Sequence, residues 1–352
     1  MKDKQDKANL SFQSYFINGI GLSDLEAVRL LLAGNSVVDW NRANFRTTAE
    51  VDRFLALNML DVNVLADQER MKYVFHAAIL YLEEHLQIKI LDEIKKIEDI
   101  REIFIMASQN KLRNRRQILA CTILKLMHVL QHLDAADLRY QVPLAEATLL
   151  EATEQKIISS KEALMSAHPN VLEFYGSRKT RESVISKLLA KKEDVASTVF
   201  DKLRFRIITK DTDDILGVLV WLTQHVFPFN FIIPAQSHNT LYPFKEMLKN
   251  QDMVEPLSNG IKDIEKDSNP NSFSGSSYKV INFIADVPVR IDHLVDHPFS
   301  KDLGKVVFVM VEFQIVNQVT AINNETGDCS HELYKERQLQ QVKKRLQYGK
   351  QY

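Results

Sequence analysis

VVFVMVEFQIV, residues 306–316, decides how the C-terminal half of this chain reads. A run of this length dominated by β-branched and aromatic residues predicts a buried strand. Alternate side chains of a strand point to opposite faces. Val307, Val309, Val311, Phe313 and Ile315 therefore share one face, and Phe308, Met310, Glu312 and Gln314 share the other. The first face is wholly apolar, whereas the second turns polar in its C-terminal half. A carboxylate in such a run is costly to bury without a partner. Glu312 is thus expected where the strand passes from core into a cleft. The competing reading is a stray carboxylate on a solvated face.

The surroundings extend this picture. KLRFRIITK (202–210) alternates like a strand, DDILGVLVWLTQHVF (213–227) has helical spacing, and FNFIIPA (229–235) reads as a short strand. A polar loop, SNPNSFSGSS (268–277), precedes the strand YKVINFIADVPVRI (278–291). The end, SHELYKERQLQQVKKRLQYGK (330–350), is a charged helix. Upstream of Ala167-His168-Pro169-Asn170 the chain reads as helix from residue 22. LSDLEAVRLLLAG offers Ser23 as N-cap, Glu26 three residues on and Gly34 as a stop. TTAEVDRFLALNML repeats the start signal with Thr47 or Thr48. ERMKYVFHAAILYLEEHL, ILDEIKKIEDIREIFIMAS, RQILACTILKLMHVLQHLDAADL and ATLLEATEQKIISSKEALMSA continue the pattern, and Gly and Pro are nearly absent from 60 to 165. The expected fold is α+β: an N-terminal all-helical domain (1–165), then a mixed β-sheet domain flanked by helices (166–352).

The length of 352 residues agrees with two domains. A net charge of −1 gives no overall steering toward nucleic acid or membrane. Cys121 and Cys329 lie far apart and outside any CxxC or Cys/His pattern, as expected in a reducing compartment. The charged start MKDKQDKANLSF has no apolar signal core, and apolar runs stay near ten residues. The expectation is a cytoplasmic protein with no membrane partner.

Four further features carry candidate chemistry. Asp201 stands immediately before KLRFRIITK. It converges with Glu312 on a divalent cation such as Mg²⁺ in one reading, and is an ordinary turn Asp in the other. GSRKTRESVISKLLAKK (176–192) opens with Gly176 and carries Arg178, Lys179, Arg181, Lys187, Lys191 and Lys192. From Gly176 to Arg206, nine basic residues face four acidic ones. A Gly/Ser turn leading into a helix N-terminus holds phosphate through backbone N–H groups, and Lys and Arg add charge and bidentate contacts. The alternative is a solvated helix face. Tyr278, at a strand start, suits stacking on a base or simple packing. His128 and His132, four apart and followed by Asp134 and Asp137, form either a metal pair or packed histidines near a helix C-terminus. Trp40, in the turn GNSVVDWNRANF, reads as a packing anchor.

Taken in order, these pieces resemble the alarmone synthetase domain of the RelA/SpoT family, over roughly residues 170 to 336. Lys179, Ser183 and Lys187 keep a K-x-x-x-S-x-x-x-K spacing, and Asp201 and Arg206 keep D-x-x-x-x-R. Tyr278-Lys279 matches a Tyr-Arg pair, Glu312-Phe313-Gln314-Ile315 matches E-x-Q-[IL], and HELYK (331–335) looks like the family's EH-x-x-YK ending. The resemblance implies a nucleotidyltransferase-like sheet and a GTP diphosphokinase-like enzyme. That enzyme transfers pyrophosphate from ATP to the 3′-hydroxyl of GDP or GTP. It further implies Mg²⁺ on Asp201 and Glu312, with Glu312 helping to deprotonate the hydroxyl. Lys179, Ser183, Lys187 and Arg206 would lie on the ATP donor, Tyr278 on the acceptor guanine, Lys279 near its phosphates, and Gln314 in the nucleotide site. The sequence departs from the family at Ser177, where the first Arg of the basic segment falls, at Val280 and Asn282, where Ser and His fall, and at Val316, where the last Arg falls. These departures leave open another acceptor such as tRNA, as in toxin-like relatives, or a nucleotide sensor without turnover. A helical interaction protein on an α+β scaffold is a further reading. The chain has no His-Asp dipeptide, so residues 1–165 do not resemble the family's hydrolase. A regulatory, homo-oligomerising or partner-binding role stays open for them.

Overall fold

The computed structural model describes residues 20–33, 45–108, 114–191, 202–233, 235–242, 244, 277–326 and 330–348. The chain is α+β. Helices α1 (Leu22–Ala33), α2 (Thr48–Leu57), α3 (Leu65–Glu84), α4 (Asp92–Lys95), α5 (Arg101–Ala107), α6 (Arg115–Gln141), α7 (Glu146–Ile158) and α8 (Lys161–Ala167) precede the sheet. Then come β1 (Val171–Arg178), α9 (Arg181–Lys191), β2 (Leu203–Thr209), α10 (Asp214–His225), β3 (His238–Asn239), β4 (Ile281–Arg290), β5 (Val306–Asn317), α11 (Gln318–Glu325) and α12 (His331–Tyr348). The strand order is β1-β2-β5-β4-β3. Only β2 and β5 run parallel; the other neighbours are antiparallel.

Local signals account for most of these elements. Thr47 caps α2 in a capping box with Glu50, which satisfies backbone N–H groups that the first turn leaves without helical partners. Ser23, expected as the N-cap, lies inside the helix, which begins at Leu22, and the Asp24 carboxylate accepts from the Gly21 N–H. Glu26 instead forms a buried pair with Arg29 at 2.7 Å. The helical run expected at 90–108 breaks into α4 and α5, with the Asp99 carboxylate accepting from the Arg101 backbone and guanidinium. ATLLEATEQKIISSKEALMSA splits at Ser159 and Ser160, whose hydroxyls turn back onto the carbonyls of Lys156 and Ile157. Hydroxyls that bond local backbone carbonyls compete with the helical ladder in this way. The short strand expected at 229–235 is a 3₁₀ turn, Phe229–Phe231, followed by a single bridge from Ile232 to Ala285. Trp40, Gly34 and nearly all of the 268–277 loop lie outside the described residues.

Two cores organise the chain. On one face of the sheet, Phe205, Phe313 and Phe283 stack at 5.8 and 5.3 Å, and Phe227 closes on Phe313 at 5.0 Å. Leu25, Val28 and Leu31 of α1, Leu149 and Ile157 of α7, Leu164 of α8, and α10 cover this face. The sheet's core thus draws on chain from before residue 166. Gly176 lies in β1 against the Phe205 ring, where a Cβ would come within 2.9 Å, so the ring occupies the space that a side chain would need. The second core joins α2, α3, α5 and α6 around Phe54, Phe75, Phe104 and Ile123. Among the described residues α6 alone has the length and composition to cross a bilayer, and here it packs in that core through Leu119, Ile123, Leu124 and Met127.

The helical core meets the sheet's other face through α6. His132 stacks on Phe308 of β5 at 4.2 Å and lies 3.3 Å from the Asp286 carboxylate. His128 stacks on Phe231 at 5.1 Å, and the Asn230 side-chain amide lies 3.2 Å from its Nδ1. The His128–His132 pair is therefore a packing contact between layers, and no group of three His, Cys, Asp or Glu suited to a metal exists among the described residues. Arg70 ties the same layers together. It donates to Asp134 at 2.7 Å and to the Asp302 carbonyl at 2.6 Å, beside Gly304, whose φ of +72° a side chain would strain. Arg290 adds a bond to the Asp67 carboxylate at 2.8 Å.

Burial, then the neighbouring charge of His132, pushes the His128 pKa down to about 3. An unfolded histidine binds its proton near 6.5. Between these values the unfolded chain carries the extra proton, so stability falls as pH drops from about 6.5 toward about 3. The loss is at most about 1.4 kcal/mol per pH unit across that window. Urea unfolding measured from pH 7 to pH 4 is expected to show this slope, and His128→Gln to flatten it.

Candidate functional site: a polar strip across the sheet

The face of the sheet opposite the phenylalanine stack is apolar at both ends and polar between them. At one end Phe308 is covered by His132 and Phe231. At the other, Ile208, Val280, Val316 and Ala321 form a small cluster against Leu241 and Tyr278. The strand register places two rows of side chains between these caps. Ser177, Arg204, Glu312 and Ile284 align across β1, β2, β5 and β4. Tyr175, Arg206, Gln314, Asn282 and His238 align one step further, across all five strands. Partners directly opposite in a sheet lie within side-chain reach, so a polar strip follows from the register alone.

Glu312 sits at the centre and is 5 % exposed. The Arg204 Nε–H donates to its Oε2 at 2.5 Å. The Asn282 amide donates to Oε1 at 2.6 Å, and the Gln314 amide to the same oxygen at 3.2 Å. A carboxylate offers about four lone-pair sites, and three are engaged. The expected position of Glu312 at the open mouth of a cleft is therefore corrected: the carboxylate is nearly buried, and it faces a guanidinium. Burial of the charge is tolerable because the partner charge and the amides replace its hydration. Arg204 keeps 31 % of its side chain exposed, so the strip reaches solvent on the arginine side.

The basic segment is also less free than its sequence implies. Arg178 pairs with Glu154 of α7, Lys202 bonds Glu146 at 2.7 Å, and Arg206 approaches Glu325 of α11 at 3.5 Å. Each acidic partner comes from a helix distant in sequence. Gly176 and Ser177 belong to β1 and do not form the phosphate-holding turn expected of them. The helix start lies at Thr180, whose hydroxyl oxygen accepts from the Ser183 N–H at 3.3 Å. Lys179, Ser183 and Lys187 are partly buried on this turn and on α9, with the Lys179 N–H held by the Lys202 carbonyl at 3.0 Å. Tyr278 is half-buried against the Val316 cluster, and Lys279 is exposed, its backbone bonded in both directions by the Asn324 side chain. Asp201 lies outside the described residues.

Magnesium can be tested against this arrangement. Glu312 is the one carboxylate among the described residues of the two rows, and a guanidinium occupies its Oε2. Mg²⁺ demands near-octahedral oxygen ligands at about 2.1 Å, and a guanidinium on the same carboxylate repels it. The ion does not fit Glu312 as the site stands.

No protein-family model matches the chain, and no curated protein matches it. Solved structures do. It is similar to the small alarmone synthetase 1 of Bacillus subtilis, with 14% identity over 57% of this chain and 91% of that one, at a TM-score of 0.32. The same protein bound to its product pppGpp gives 15% identity, coverage of 60% and 91%, and a TM-score of 0.34. A GTP pyrophosphokinase family protein from Streptococcus pneumoniae gives 12%, coverage of 57% and 88%, and 0.32.

Arg204 and Asn282 are the residues that reading along the chain did not assign to the site. The alternation in LRFRIIT puts Arg204 and Arg206 on one face, which was the available signal; that Arg204 meets Glu312 depends on the β2–β5 register. Replacing Arg204 by Ala leaves a buried carboxylate with two neutral donors. The cost is expected to be about 2–3 kcal/mol, below the range for fully buried pairs because Arg204 is partly solvated. Adding Glu312→Gln is expected to recover part of it. Chemical denaturation of the two single variants and the double variant measures the coupling.

Proposed function

We propose that the chain binds ATP and a guanosine nucleotide along the polar strip and transfers the β,γ-pyrophosphate of ATP to the acceptor's 3′-hydroxyl. The observation that carries this reading is the strip itself: Arg204, Arg206, Glu312, Gln314 and Asn282 on adjacent strands, with Lys179, Ser183 and Lys187 on the neighbouring turn and helix. These are the residue types that a polyphosphate and a hydroxyl acceptor require, and Lys179, Ser183, Lys187, Arg206, Glu312 and Gln314 follow the order of the synthetase-like motifs. Transfer of this kind depends on positioning and charge neutralisation more than on covalent participation by the protein. The acceptor oxygen attacks the β-phosphorus, the bond from that phosphorus to the α,β-bridging oxygen breaks, and AMP departs with the electron pair. Arg204 and Arg206 neutralise phosphate charge, and Lys179 and Lys187 flank the donor. Tyr278 and Lys279 stand at the acceptor end. Glu312 accepts the hydroxyl proton through its remaining lone-pair site.

One observation favours a second reading. Three donors already engage Glu312, which suits a protein that binds nucleotide without turning it over.

The test is an assay with γ-labelled ATP and Mg²⁺, with GDP, GTP or tRNA offered in parallel. The label follows the transferred pyrophosphate. A labelled guanosine product is expected, falling about 10²–10⁴-fold in Glu312→Gln, the range for loss of a general base. Label on tRNA would move the acceptor to RNA. ATP binding without product would establish the second reading, and neither binding nor product would overturn both.

A further inference from the structure

We infer that Arg204 holds the place beside Glu312 that a divalent cation would need, so that the strip binds nucleotide phosphates without a protein-bound metal. The inference rests on the nucleotide-binding reading above for its ligand, but its structural half concerns Glu312 alone. Among the described residues, every hydrogen bond to the Glu312 carboxylate comes from a donor on the strip: Arg204 on Oε2, Asn282 and Gln314 on Oε1. Metal ligands need lone pairs turned toward the ion, and here three of about four are turned toward N–H groups. The donors are themselves fixed. Arg204 and Glu312 are register partners on parallel strands, and Asn282 and Gln314 are register partners on β4 and β5. Rotating Glu312 toward an ion would strip three bonds from a nearly buried carboxylate and leave a guanidinium beside the incoming charge. The guanidinium also does what a cation would do for a polyphosphate. It is planar and permanently charged, and it presents its donors in a fork that matches phosphate oxygens. Anchored by Glu312 at 2.5 Å and solvent-accessible over 31 % of its side chain, it is a positioned phosphate-binding group in the same row as Ser177 and next to Arg206. Asn282 stands where the synthetase motif has His, and its amide completes the anchor.

Two measurements on the full chain decide this. The first is equilibrium binding of ATP in excess EDTA and in excess Mg²⁺. The affinities are expected to agree within about threefold, and Arg204→Ala to weaken metal-free binding by roughly tenfold or more, the loss of one charged hydrogen bond. Arg204→Lys keeps the charge without the fork and is expected to fall between the two, with circular dichroism confirming that each variant is folded. Binding only of the Mg²⁺ complex would overturn the inference. The second is Mn²⁺ titration of the nucleotide-free chain, followed by electron paramagnetic resonance. No tight site is expected in the wild type. A stoichiometric Mn²⁺ site that disappears in Glu312→Gln would overturn the inference whatever the nucleotide result. Absence of ATP binding in both buffers would instead sink the proposed function, and the Mn²⁺ titration would still decide whether Glu312 is a ligand.

Discussion

A charged side chain in the middle of a sheet is the constraint around which this molecule is arranged. Glu312 occupies the central strand β5 with 5 % of its surface exposed, a position that costs several kcal/mol unless its hydration is replaced. The replacement comes from both neighbouring strands. Arg204 arrives from β2, and Asn282 arrives from β4. The parallel register of β2 with β5 and the antiparallel register of β4 with β5 are thus tied to one electrostatic requirement. A slip of one residue in either pairing would turn every side chain of that strand to the other face and leave the carboxylate alone.

The same sheet has two faces with different work to do. One is closed by three stacked phenylalanines, by Phe227 tilted against them, and by α1, α7, α8 and α10. Among the described residues the other is closed at its ends, by the His132–Phe308 contact with α6 and by the Val316 cluster beside α11. Ion pairs and backbone bonds from Arg70 and Arg290 hold the helical layer at the first of these ends. The helical layer is therefore a wall of the strip, placed so that its packing histidines stop where the polar rows begin.

Much of the fold was legible along the chain. Burial in β5 follows the alternation from Val306 to Val311 and is continuous from there to Val316, and 202–210, 213–227 and 278–291 contain β2, α10 and β4. Errors fell where local and tertiary preferences compete. FNFIIPA has strand composition, yet Phe231 is drawn under α6 by His128, and the backbone takes a 3₁₀ turn. GSRKT looks like a phosphate loop, yet Gly176 is needed in β1 because the Phe205 ring fills the space of a side chain. The charge excess in residues 176–206 was real in composition and partly cancelled in space by Glu154, Glu146, Glu312 and Glu325.

What the sequence determined by itself was periodicity: which residues share a face, where helices start, and that Glu312 and Gln314 interrupt an apolar pattern. Periodicity is a property of one segment and survives without neighbours. The tertiary structure alone decided what Glu312 meets. Arg204 is 108 residues away along the chain, and Asn282 is 30. Their meeting depends on strand order and register, and many equally periodic segments compete for those places. A carboxylate that stands alone in an apolar run along the chain meets an arginine once β2 lies beside β5.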